Sequence, residues 1–173
     1  MTGATFLQTF GGKGANSAVG AARAGGRVVF VNAVGDDPYA PALLANLAAD
    51  GIDVSHVWRE SGVASGHALV MIGEGGSNYL SVAAGANDTV TPARVAGLES
   101  GLAGAARILI QNEIPAETNR AILDLAGKHG IPVQWNYAPF VETPLEWLRD
   151  TGLLIVNETE ADALARRAGL APT

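Results

Sequence analysis

The sequence has no cysteine, so it can form neither disulfides nor thiolate metal sites, and its residues carry no mark of an oxidising compartment. Positive charge is also scarce. Eleven Lys and Arg against seventeen Asp and Glu leave a net charge of −6, which argues against a nucleic-acid or anionic-membrane partner. Charged residues make up only 16% of the chain and apolar residues 48%, a balance that excludes a disordered or fibrous chain. No apolar run is long enough to span a bilayer, and the N-terminus has no signal-peptide pattern. Soluble and cytoplasmic is the resulting expectation. No linker, internal repeat or low-complexity tract divides the 173 residues, a length that fits one domain over 1–173.

What is present begins with glycine. Phe10-Gly11-Gly12-Lys13-Gly14-Ala15-Asn16 joins an alternating run, Thr5 to Phe10, expected to be a strand, to a small-residue run, Ser17 to Ala24, expected to be a closely packed helix. A glycine turn between strand and helix leaves N–H groups uncovered at the helix N-terminus, where the helix dipole favours oxygens that bear or develop negative charge. Lys13 adds a mobile cation, and Asn16 can donate and accept. No Gly-Lys-Ser/Thr follows four spacer residues, so this is not a Walker A loop. Ser17 stands where the third glycine of the dinucleotide fingerprint belongs. Taken alone, a tight turn with a solvent-facing lysine also explains the stretch.

Arg27 to Val34 is a β-branched run of the kind buried on both faces of a sheet, and Gly35-Asp36-Asp37-Pro38 turns it into a helix from Tyr39 to Asp50. A capping role for the two aspartates is the expectation. Val54 to Arg59 reads as a short strand. Gly66 to Ile72 and Tyr79 to Ala83 flank the turn Glu74-Gly75-Gly76-Ser77-Asn78 as an antiparallel hairpin, with which Thr5–Phe10 could pair. Thr91-Pro92 opens a helix towards Leu102. Strand–helix alternation then resumes, with strands 107–111, 132–136 and 153–157 and helices 115–129, 144–149 and 158–167. Repeated βα units require a parallel sheet with helices on both faces. The expected fold is therefore α/β: a doubly wound, mostly parallel sheet flanked by helices, with a small antiparallel lid.

Ligands of such sheets bind beyond the carboxyl ends of the strands. Three strands end in polar clusters there: Gln111-Asn112-Glu113, Asn136-Tyr137-Ala138-Pro139 and Asn157-Glu158-Thr159-Glu160. Capping explains any one of them, but three on one edge, with the glycine turn, suggest a site. Other chemistries find little support. His56, His67 and His129 lack metal-ligand spacing, no Gly-x-Ser-x-Gly elbow exists, and Trp58, Trp135 and Trp147 read as packing residues.

These motifs, in this order and over essentially the whole chain, resemble the ribokinase-like, or PfkB-type, carbohydrate kinases. The resemblance implies ATP-dependent phosphorylation of a pentose hydroxyl, ribose first among pentoses, with Mg²⁺. It assigns Gly12, Lys13, Asn16 and Glu113 to the sugar hydroxyls, and Asn157 and Glu160 to placing the nucleotide phosphates and, indirectly through Glu160, the metal. It makes the segments near 4–10 and 65–84 a β-lid that covers the sugar and pairs with a second lid in a homodimer. Tyr137 stands where the family usually has proline. The family's opening strand, with its Asn-x-Asp sugar contact, and its C-terminal half, with the Gly-Ala-Gly-Asp motif, the catalytic Asp, the adenine pocket and the monovalent-cation site, are expected to be missing. A single incomplete domain, inactive alone, follows from this. The rivals are a non-catalytic sugar-binding or interaction module and a gene fragment without independent function.

Overall fold

A computed structural model of the chain describes residues 5–73, 78–102 and 104–171. Helix α1 (Lys13–Arg23) leads into strand β1 (Val29–Gly35), helix α2 (Ala40–Ala49) and strand β2 (Asp53–Glu60). β1 and β2 run parallel, as a strand–helix–strand crossover demands. Asp37 Oδ1 accepts from the N–H groups of Tyr39 and Ala40, so this aspartate does cap the turn into α2. The proline inside the first helical turn is Pro41, however, and Pro38 lies ahead of the helix.

Strands β3 (His67–Ile72) and β4 (Asn78–Ala83) form the expected antiparallel hairpin, pairing His67 with Ala83 and Val70 with Leu80. Most of its turn, residues 74–77, lies outside the described residues. The strand expected over Thr5–Phe10 is not there. Residues 5–10 are irregular and exposed, and β3 and β4 pair only with each other among the described residues. An alternating pattern suits one face of a sheet, but without a neighbouring edge to take its backbone groups it makes no strand.

A 3-10 turn (Gly85–Thr89) and a short helix α3 (Pro92–Ala96) follow. The helix expected to continue to Leu102 breaks at Gly97, and a separate 3-10 turn covers Glu99–Leu102. The remainder is a second parallel sheet in the order β5 (Ile108–Ile110), β6 (Val133–Asn136), β7 (Leu153–Ile155). Helix α4 (Ala116–His129) and a 3-10 turn (Leu145–Asp150) join its strands, and helix α5 (Glu158–Arg167) follows. The architecture is the expected α/β one, except that among the described residues the parallel strands form two sheets rather than one.

Three apolar clusters hold these elements. Phe30, Leu47, Ile52 and Ala18 pack α1 and α2 onto β1. Ala33, Ala86 and Val90 seat the 3-10 turn on β1. Ile110, Leu123, Val133, Trp135, Tyr137 and Leu164 join α4 and α5 to one face of the second sheet. The other face of that sheet is barely covered: Leu109, Leu153 and Ile155 are each more than two-fifths exposed.

The fully buried Trp135 depends on one amide. Its Nε1–H donates to Asn112 Oδ1 at 2.8 Å, and Asn112 Nδ2 donates to the carbonyl of Pro139 at 2.9 Å. Replacing Asn112 by alanine should therefore cost about 1–3 kcal/mol by leaving a buried donor unpaired. Urea unfolding would measure it. An unchanged midpoint would mean that water replaces the amide.

Candidate functional site

The site starts from a helix without a cap of its own. Gly12, the residue before α1, has φ +99°, a conformation only glycine adopts without strain, and it carries no side chain to cap the first turn. The first turn of α1 contains no acidic residue. The cap comes from 100 residues away. Glu113, just beyond β5, accepts a hydrogen bond from the Lys13 backbone N–H through Oε2 at 2.7 Å. Its other oxygen, Oε1, lies 3.9 Å from Lys13 Nζ. A carboxylate here is favoured by the helix dipole by about 0.3–1 kcal/mol. Both side chains remain about a third exposed, so the pair stays open to a ligand.

Gly12, Lys13 and Glu113 are thus together. Asn16 lies one turn along α1, exposed, in a small cleft of about 30 Å³ shared with Phe10, Leu43 and Asn46 between α1 and α2. Asn157 and Glu160 sit at the opposite end of the strand-end row. They form a reciprocal capping box at the start of α5: Asn157 Oδ1 accepts from the Glu160 N–H at 2.8 Å, and Glu160 Oε2 accepts from the Asn157 N–H at 2.9 Å. Glu160 is only 8% exposed. Among the described residues no group of three or more His, Asp or Glu side chains could hold a metal ion. Asn157 Oδ1 and Glu160 Oε2 are thus both engaged with the backbone at the start of α5.

Three polar arrangements were not read from the sequence, although Gln111 and Asn136 already stood in its strand-end clusters. Gln111, Gln134 and Asn136, with Ser17 of α1, line a cavity of about 90 Å³ against the uncovered face of the second sheet. They alternate with the buried Ile110 and Trp135, and that alternation was the signal available. Asn32 Nδ2 donates to Asn87 Oδ1 at 3.3 Å, while the buried Asn32 Oδ1 has no partner among the described residues. No signal in the sequence pairs these two residues.

The third is Ser65, which ties the hairpin base to the first sheet. Its Oγ accepts from Gly35 N–H at 3.0 Å, and its own N–H donates to Asp37 Oδ2 at 2.5 Å. Burial pushes the Asp37 carboxyl upward, but the N–H groups of Ser65, Tyr39 and Ala40 and the Ser65 hydroxyl outweigh it and hold Asp37 below the usual range. Above the hairpin base, His67 meets the ring of Tyr39 edge-on at 5.3 Å.

The pattern of the pfkB family carbohydrate kinases matches residues 1–173, the whole stretch that carries the glycine turn, Glu113 and the polar strand ends. The chain belongs to this family. It is 38% identical over 164 residues to a ribokinase of Bacillus subtilis, an alignment covering 95% of this chain and 56% of that protein. A ribokinase of Schizosaccharomyces pombe is 34% identical, with 91% and 51% covered. The ribokinase of Thermotoga maritima superposes with a TM-score of 0.81 at 31% identity, over 92% of this chain and 52% of that one. The Arabidopsis thaliana ribokinase solved with ribose and ATP superposes with a TM-score of 0.79 at 28% identity, over 94% and 52%. The pfkB chain described here therefore spans about half the length of the relatives it matches. Its helix-flanked parallel strands and antiparallel hairpin are those of the ribokinase-like fold. Among the described residues no helix is long and apolar enough to cross a membrane.

Proposed function

We propose that this chain is the sugar-binding part of a ribokinase-type kinase that transfers a phosphoryl group from ATP, with Mg²⁺, to a pentose, ribose being the favoured substrate. The observation that carries the reading is the Lys13–Glu113 pair at the head of α1. A sugar ring presents hydroxyls that both donate and accept, and a carboxylate oxygen beside an ammonium answers both needs. Gly12 lets the ring approach the backbone, and Asn16 extends the polar surface by one helical turn. Glu113 and Lys13 bind and orient the sugar in this reading; Asn157 and Glu160 fix the start of α5, so that their influence on phosphates and metal is indirect. The hairpin supplies a lid, and its outward face joins a second copy.

Phosphoryl transfer also needs alignment with the donor, a base and fixed donors for developing charge. The chain alone is expected to bind sugar and to turn over near background. Titration of the purified chain with D-ribose, followed by calorimetry, should show binding that Glu113→Gln weakens at least about tenfold, the loss expected when a hydrogen bond to a charged group is removed. No ribose binding, or equal binding by the variant, would sink the sugar site. Sugar-dependent ADP production by the chain alone would show that it is a kinase by itself.

A further inference from the structure

Helix α4 turns an amide into the core. Along its buried face stand Asn119, Leu123 and Ala126, each 1% exposed, at spacings of four and three residues. Asn119 Oδ1 is buried without a partner among the described residues, a deficit that an apolar side chain would not incur. Packing alone therefore does not account for an asparagine here. The other half of the amide does. β5 ends at Ile110, so the Gln111 carbonyl lies past the last pair of the ladder with β6. Asn119 Nδ2 donates to that carbonyl at 2.8 Å and to Asn112 Oδ1 at 3.3 Å. The orientation is set by the partners. A carbonyl can only accept, and Trp135 Nε1–H can only donate, so Asn112 presents its oxygen and Asn119 its nitrogen.

These bonds bracket Glu113. On one side Asn112 is held again, by its N–H to the Ala138 carbonyl at 3.0 Å and its Nδ2 to the Pro139 carbonyl at 2.9 Å. On the other side the Pro115 carbonyl accepts from the Thr118 N–H at 2.9 Å and from the Asn119 N–H at 3.4 Å. Asn119 thus touches both ends of the connection 111–115, with its side chain at one end and its backbone at the other. Between those ends Glu113 reaches the Lys13 N–H at 2.7 Å, a bond that tolerates little displacement. We propose that Asn119 is a positioning residue for Glu113: from within the core it fixes the irregular connection that presents the carboxylate to α1. Its consequence for ligand binding rests on the sugar-site reading; its effect on the Glu113–Lys13 bond does not.

The test uses the unmodified chain and Asn119→Leu, which keeps the bulk and removes the donor. Leu123→Val is the control, a change one turn along the same buried face that leaves the connection untouched. Hydrogen exchange of the Lys13 amide, relative to the amides of β1, reads the Glu113 bond directly. It should be faster by about tenfold or more in Asn119→Leu, as for loss of a hydrogen bond to a charged group, and unchanged in Leu123→Val. Calorimetry with D-ribose should show weaker binding by Asn119→Leu, by about threefold or more, because the carboxylate is displaced rather than removed. In a Glu113→Gln background the same substitution should add nothing, since its whole effect passes through Glu113. If the leucine variant does not fold, Asn119→Ser, smaller and with only a short hydroxyl donor, carries the same comparison. A folded variant whose Lys13 amide is as protected as in the unmodified chain would overturn the proposal. So would an equal loss of ribose affinity in the Glu113→Gln background. Faster Lys13 exchange in Asn119→Leu, with no ribose binding by the unmodified chain, would uphold the positioning role and remove the sugar reading instead.

Discussion

Gly35→Ala is expected to abolish cooperative folding of the chain. A Cβ on Gly35 would lie 2.2 Å from the Val63 carbonyl oxygen, 2.5 Å from the Ser65 nitrogen and 2.6 Å from the Ala64 carbonyl carbon. All three are backbone atoms, so no side chain can swing aside. The same backbone is fastened from several directions. Asp36 N–H donates to the Val63 carbonyl at 3.2 Å, Ala86 N–H donates to the Ala64 carbonyl at 2.8 Å, and Ser65 is bound through both its hydroxyl and its N–H. Moving segment 63–65 to admit a methyl group would break these bonds and lift the hairpin base from β1. Overpacking of ordinary cores costs about 1–3 kcal/mol. Displacing a buried backbone knot should exceed about 4 kcal/mol, close to the whole stability of a domain at the low end of the usual range of about 5–15 kcal/mol. Gly20→Ala is the control, because a Cβ there meets nothing within 4 Å and replaces glycine inside a helix. Thermal unfolding by circular dichroism should show a sharp transition for Gly20→Ala and none for Gly35→Ala. A Gly35→Ala transition within a few degrees of the parent would show that segment 63–65 yields.

Much of this architecture was legible in residue order, and the reasons differ between elements. The strands of the second sheet announced themselves because Ile108, Ile110, Val133, Trp135 and Leu154 feed one shared core. Asn157 and Glu160 were readable as a cap because capping is local: three residues of spacing suffice. The glycine turn was readable as the head of a helix, but its cap was not, since Glu113 arrives from a separate strand end. No local pattern encodes a partner 100 residues away. Thr5–Phe10 misled for the opposite reason: its alternation is real, but a strand exists only where a neighbour offers an edge. Asn112 was read within a polar cluster at a strand end, and it proves to hold Trp135, an identity set by packing rather than spacing.

The hairpin carries the other large expected effect, on association. In an antiparallel ladder, directly paired residues share a face and successive residues alternate. Ala68, Val70, Ile72, Leu80 and Val82 therefore lie on one face, and His67, Leu69, Met71, Tyr79, Ser81 and Ala83 on the other. Apart from Asn78, the partner of Ile72, the first face is aliphatic, yet Ile72 is 77% and Leu80 63% exposed. His67 belongs to the second face and touches Tyr39, so that face meets the body at the hairpin base, while Leu69, Met71 and Tyr79 farther along it are exposed as the aliphatic face is. Two such faces packed together would remove ten aliphatic side chains from water, each worth up to about 1.5–3 kcal/mol when fully buried for the larger ones, before the cost of association. Val70 and Leu80 are direct partners, so Val70→Asp with Leu80→Lys replaces an apolar pair by an opposite-charge pair that preserves the hairpin while spoiling the face. Sedimentation velocity should find the parent chain as a dimer or larger, and the double variant dissociated with a Kd raised at least about a hundredfold, the equivalent of losing roughly one buried large side chain from each copy. A second exposed apolar surface competes for this role, the Leu109, Leu153 and Ile155 face of the second sheet. Ile155→Lys addresses it. Dissociation by Ile155→Lys and not by the hairpin pair would move the interface to the sheet and take the lid out of the assembly.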